Sequence, residues 1–242
     1  MISLYIKELS TYLYSFTAYV VMIVFVLFTG MFLWVFPDTN VLDYGYADME
    51  IFFTYAAVAY MLLTPAITMR SFAEEKKDGT IEFLLTKPIS DWHLLLGKYF
   101  AACTILAIAL LPSLCFYFSI YTLGDPPGNI DSAAVFSSYI GLMLLAGVFA
   151  SVGIFSSSVS NNQVLSFILS LAINYVLFDG FARLSSLGFL SSTSAFISQL
   201  GLDYHYLSLS KGLIDSRNVL YLISITCIML VSTKLTLGSR NW

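Results

Sequence analysis

Between Ser132 and Phe178 the chain carries no Asp, Glu, Lys, Arg or His, and further uncharged runs precede and follow that stretch. No water-soluble fold tolerates this pattern, because a solvated surface must be covered with charge. Over all 242 residues, 58% of the side chains are hydrophobic and only 11% are charged, which places the sequence outside soluble globular proteins. Several of the runs reach the roughly 20 residues that a helix needs to cross the hydrocarbon of a bilayer. The sequence therefore predicts an all-α polytopic membrane protein.

Six transmembrane spans are expected, at 17–36, 51–69, 99–123, 133–155, 162–178 and 218–234. The uncharged stretch after Ser132 is too long for one helix. The polar cluster Ser156-Ser157-Ser158 through Asn161-Asn162-Gln163 divides it into a hairpin. Pro37 closes the first span, Pro112 predicts a kink in the third, and Gly124 to Asn129 form a loop. Ahead of the first span, Ile2, Tyr5, Ile6, Leu9, Tyr12, Leu13 and Phe16 recur at helical spacing, with Ser3, Lys7, Glu8 and Ser10 opposite. That pattern predicts an interfacial helix over 1–16, retained as part of the mature anchor. Residues 184–202 are uncharged but rich in serine, a poor guest in hydrocarbon. The positive-inside rule decides their place. With six spans, Lys7, Arg70, Lys76, Lys77, Lys87, Lys98, Lys234 and Arg240 share one side, against Arg183, Lys211 and Arg217 on the other, eight against three. Both termini are expected in the cytoplasm, and 179–217 becomes an extracytoplasmic or re-entrant helical segment.

The chemistry that is missing narrows the function. No charge falls within the six predicted cores, so proton relays and ion-coupled transport are disfavoured. Gly-x-Ser-x-Gly, His-Glu-x-x-His and paired intramembrane aspartates are absent, as is a phosphate-binding loop, since Gly97-Lys98 lacks the upstream glycine. His93 and His205 are expected on opposite sides of the membrane. Cys103, Cys115 and Cys227 lie in apolar runs with no metal-ligand spacing. No basic patch is dense enough to track nucleic-acid phosphates. The expected chain binds no cofactor directly.

One segment, 70–98, differs in kind. It reads Arg70-Ser71-Phe72-Ala73-Glu74-Glu75-Lys76-Lys77-Asp78-Gly79-Thr80-Ile81-Glu82-Phe83-Leu84-Leu85-Thr86-Lys87-Pro88-Ile89-Ser90 over its first two thirds. A charged helix leaves the second span, breaks at Asp78-Gly79 and restarts with Thr80 as N-cap. Glu82 then lies in the first turn, where the helix dipole favours a carboxylate. Ser90 caps the lead into the third span. Such a helical hairpin is either a docking knob for a soluble partner or a solvated linker between spans.

The run E-E-K-x-x-G-T-I-E-x-L-L-T-x-P-I-S, placed between the second and third of six spans, resembles the cytoplasmic coupling element of type-2 ABC transporter permeases. Ala18-Tyr19-Val20-Val21 with Thr29-Gly30, the run His205 to Arg217, Val219-Leu220-Tyr221 and the closing Ser239-Arg240-Asn241-Trp242 resemble the gliding-motility branch of these permeases, of GldF type. Lysine stands at position 76, where many relatives carry arginine.

The resemblance implies a permease subunit in the bacterial cytoplasmic (inner) membrane. It implies an ABC ATPase partner that holds ATP and magnesium, and a second permease subunit in a homodimer or heteromer. An auxiliary extracytoplasmic protein fits the branch. Glu74, Glu75, Gly79, Thr80 and Glu82 are then the ATPase-coupling residues. The alternative is a non-transporting complex that transmits force or signal outward, which the long 179–217 segment would serve. Six spans with cytoplasmic termini make a direct prediction. In intact cells, cysteines at Ser3 and Ser239 should resist an impermeant thiol reagent while one at Asn129 reacts. Labelling at Ser239 would instead demand a seventh crossing.

Overall fold

The structure, a computed structural model, describes residues 2–80, 90–186 and 194–238. Among them every regular element is helical. Six helical stretches are long and apolar enough to cross a membrane: Phe16–Trp34, Glu50–Lys77, Asp91–Leu123, Ser132–Val159, Gln163–Ser185 and Ser216–Gly238.

In chain order the elements are α1 (Ile2–Tyr14), α2 (Phe16–Trp34), the short α3 (Val41–Tyr44), α4 (Glu50–Thr68) and α5 (Ala73–Lys77). After them come α6 (Asp91–Leu110), a 3₁₀ turn (Leu111–Ser113), α7 (Leu114–Leu123) and α8 (Ser132–Val159). The chain continues through α9 (Gln163–Tyr175), a π-helical turn (Val176–Gly180), α10 (Phe181–Ser185), α11 (Ser194–Ser198), α12 (Leu202–Ser210) and α13 (Ser216–Gly238). The 3₁₀ turn sits where Pro112 removes a backbone donor, so the expected kink is a local tightening of the third span.

Helix α8 is the hub and packs against α4, α6, α9, α12 and α13. Its small residues are turned to several neighbours rather than to one seam. Gly141 faces Leu209 of α12, Gly147 faces Tyr99 of α6, and Gly153 faces Thr68 of α4. These small residues thus admit close packing within the chain. Tyr60 of α4 ties two further spans together, stacking on Phe25 at 4.7 Å and donating to the Leu106 carbonyl at 2.7 Å.

Several boundaries differ from expectation, each for a physical reason. The third span's helix starts at Asp91, not Tyr99, so Lys98 sits inside it. The serines 156–158, read as part of a hairpin turn, are buried in the last turn of α8. The turn itself is 160–162, with Asn162 Oδ1 accepting from the Val164 amide. The last span's helix, α13, has 23 residues and extends beyond the expected 218–234 at both ends. In α1 the buried face runs through Glu8 and Tyr12, with Tyr5, Leu9 and Leu13 packed beside them. Ile2, Ile6 and Phe16 are exposed. The expected single apolar face is therefore split between the bundle and the outside, and Glu8 does not belong to a solvated side.

The 179–217 segment is largely helical where it is described. Its helix α12 packs into the bundle: the Tyr206 hydroxyl donates to the Phe53 carbonyl, and Ser137 and Ser138 of α8 donate to the carbonyls of Gly212 and Ser210. His205 stacks on Tyr221 of α13 at 4.0 Å, a structural setting.

A Cβ at Gly153 would overlap Thr68 Oγ1, whereas at Gly238 no atom of the described residues lies within 4 Å. Gly153→Val should therefore destabilise the purified protein by about 1–3 kcal/mol, the usual cost of overpacking. Gly238→Ala should leave its melting temperature unchanged. Equal melting temperatures for the two variants would contradict the close α4–α8 approach.

Candidate coupling site

The charged segment after the second span folds as the short helix α5, and its end is built by glycine. Gly79 has φ +67°, the left-handed region that side chains with a Cβ avoid. The Thr80 amide donates to the Glu75 carbonyl and the Gly79 amide to the Lys76 carbonyl. These two bonds form a Schellman cap and satisfy carbonyls that the helix end would orphan. Thr80 also turns its hydroxyl back to the Glu75 carbonyl at 3.3 Å. Its expected role as N-cap of a following helix, and the place of Glu82, lie outside the described residues.

Helix α5 is not a free loop. Ser157 of α8 accepts from the amides of Phe72 and Ala73 at 2.9 and 3.0 Å, while its own hydroxyl donates to the Met69 carbonyl. The amides that enter α5 are thus capped from another helix. The Lys76 ammonium donates to the Ser158 carbonyl, and the Ser158 hydroxyl bonds Thr236 of α13. From α1, the Tyr12 hydroxyl bonds Ser71 at 3.0 Å. Burial pushes this phenol above its ordinary titration range, so it remains a neutral partner.

At the centre stands Lys98, 1% exposed. Its ammonium lies 2.7 Å from Glu75 Oε1 and 3.3 Å from Glu8 Oε1, and 5.1 Å from the centre of the Phe72 ring. Lys7, at the surface, approaches Glu8 at 3.9 Å. One buried cation therefore joins α1, α5 and α6. The neighbouring packing cluster is apolar: Phe72, Leu94, Leu95, Ile154, Leu230 and Leu237 are buried together, with Leu4 and Trp92 beside them. Lys234 lies over the Trp92 ring at 5.0 Å, so its charge near the end of the last span rests on an aromatic face.

A cleft of about 330 Å³ opens between α1 and α5, bordered by Glu8, Arg70, Glu74, Glu75, Asp78 and Lys98 among others. Two of its atoms, Arg70 Nε and Glu75 Oε2, are buried without a hydrogen-bond partner among the described residues.

A sequence model of the ABC-2 family transporter proteins matches residues 2–211. The chain belongs to that family. A search of curated proteins found no match. An ABC-2 permease is a transport component and not itself an enzyme, and the described residues hold no group of three or more His, Cys, Asp or Glu that could bind a metal.

The residues singled out from the sequence divide in two. Glu75 turns inward to Lys98, whereas Glu74, Gly79 and Thr80 are exposed on α5 and its cap. The sequence did not single out five participants of this permease's charged centre and anchor: Glu8, Tyr12, Lys98, Ser157 and Ser158. Lys98 carried a signal, because it falls on the helix face marked by Leu94, Leu95, Ala101 and Ala102, all buried. A cation at such a register must find carboxylates. Ser90 occupies the cap position of α6, but its hydroxyl meets His93 Nδ1 at 2.8 Å rather than a backbone amide.

Removing one partner of a buried ion pair leaves the other charge uncompensated, at about 3–5 kcal/mol. Lys98→Met should cost on that order in thermal unfolding of the purified protein. Adding Glu75→Gln should recover part of the loss. Additive losses in this double-mutant cycle would show that the two groups do not interact.

Proposed function

We propose that this chain is the transmembrane permease subunit of an ATP-driven ABC-2 complex, and that α5 with its glycine cap is where a separate ATPase subunit docks and pushes. The supporting observation is the anchoring of α5. One short exposed helix is tied by Lys98, Ser157, Ser158 and Tyr12 to α6, α8, α13 and α1. A push on α5 is therefore delivered to several spans at once. A solvated linker would have no reason to be held in this way.

On this reading the two glutamates have different tasks. Glu74 and Asp78 face outward for a cationic groove in the ATPase, while Glu75 passes the displacement to Lys98. ATP and magnesium belong to that partner. A second permease subunit, identical or related, completes the path across the membrane, and the coupling end lies in the cytoplasm. The sequence likeness to the gliding-motility branch supports the reading that the complex serves export or motility in the inner membrane. The alternative, a complex that transmits force to an extracytoplasmic protein, drew on the length of 179–217. Its support is smaller now that Leu202–Ser210 is spent on packing inside the bundle.

The test is co-purification of the ATPase with tagged permease, combined with its hydrolysis rate. Truncating one partner of a buried interfacial charge pair typically costs about 2–5 kcal/mol, so Glu74→Lys should reduce bound ATPase at least roughly tenfold. Gly79→Val, strained at its positive φ, should retain the ATPase but uncouple hydrolysis from transport. A full complement of ATPase with normal coupling in both variants would reduce the segment to a linker.

A further inference from the structure

Serine and threonine hydroxyls buried in these spans mostly return to a carbonyl of the preceding turn. Thr29 donates to Phe25, Thr68 to Thr64, Ser151 to Val148, Ser156 to Val152 and Thr233 to Met229. One face of α9 departs from this rule. Ser166, Ser170 and Asn174 are each 0% exposed, and at spacings of four they form one line about 12 Å long at 1.5 Å per residue. The hydroxyls of Ser166 and Ser170, and both amide atoms of Asn174, have no hydrogen-bond partner among the described residues. Thr64 of α4, also 0% exposed, has an equally unpartnered hydroxyl. The line runs where α9 packs on α4 and α8. At its middle, Thr68 and Ser170 converge on the bare backbone of Gly153. Asn174 lies just before the π-helical turn Val176–Gly180, so the backbone pattern also changes there.

Unpaired polar atoms at this depth are costly, because hydrocarbon offers no partner. A carboxamide with both its donors and its acceptor idle requires a ligand. The chemistry of the unpartnered groups specifies one. They include no charge: hydroxyls donate and accept, and the amide does both. An ion would satisfy only one of these roles, whereas water satisfies both and is held by two to four polar partners. Lipid is excluded by the complete burial. We propose that the seam between α4, α8 and α9 is an intramembrane water site, with Asn174 as its principal anchor and Ser166, Ser170 and Thr64 along it. Helix α9 also touches α5. Water gives α9 hydrogen bonds that exchange partners when the helix shifts, which directly paired side chains would resist. Hydration of the seam stands independently of ATPase docking.

The experiment is water-edited solid-state NMR on the ¹⁵N-labelled full-length protein in lipid bilayers, without nucleotide. It follows magnetisation transfer from water protons to the Asn174 side-chain amide, identified by its loss in Asn174→Leu and, should that variant not fold, in Asn174→Ser. Transfer should be at least threefold faster than to the backbone amide of Ile168, whose side chain faces outward on the same helix, and Ser170→Ala should slow it. Transfer to Asn174 as slow as to Ile168 would show a dry seam and overturn the proposal, whatever the outcome of the docking test.

Discussion

An ammonium removed from water at the end of a membrane bundle has to be met by carboxylates, and the arrangement of this end of the molecule follows from that demand. Lys98 is drawn into the bundle because its helix neighbours Leu94, Leu95, Ala101 and Ala102 pack inward. Its charge then recruits Glu8 from α1 and Glu75 from α5. Two elements distant in sequence are fixed against α6 by one interaction. A buried pair of this kind adds little net stability, since desolvation offsets attraction. Its contribution is register: alternative placements of α1 or α5 would leave a charge unpaired in an apolar setting.

The second constraint is the obligation to satisfy backbone groups where a helix breaks near lipid. The chain must leave α4 and enter α5 within a few residues, freeing the amides of Phe72 and Ala73. Ser157 of α8 takes both. At the far end of α5, Gly79 closes the helix on itself through its left-handed turn. Helix α5 is therefore anchored where it meets the bundle and exposed at Glu74, Asp78, Gly79 and Thr80.

Helix α8 shows how a membrane bundle without a hydrophobic driving force between spans is assembled. Small residues on several sides of it admit Leu209, Tyr99 and Thr68 to close contact, which increases dispersion attraction where lipid competes equally for apolar surface. The same hub leaves the outer faces of α2, α9 and α13 apolar and exposed, as at Ile23, Ile168 and Ile228.

The six spans were legible because hydrocarbon imposes one rule on any sequence, a run of about 20 apolar residues per crossing. The break at Asp78-Gly79 was legible for a local reason, since glycine after a charged helix end marks a left-handed cap. What no local pattern contained was partnership. Glu8 and Lys98 stand ninety positions apart; the register of Lys98 signals burial but names no partner, and Glu8 reads alone as a solvated charge. Ser157 reads as a turn residue until the amides of α5 arrive from 84 and 85 positions away. Local rules of polarity and helix termination therefore determined the membrane fold, its six long apolar helices and the position of the charged segment that holds α5. The tertiary structure alone decided which of its carboxylates face inward, because desolvation forces a buried charge to find its partner in space rather than along the chain.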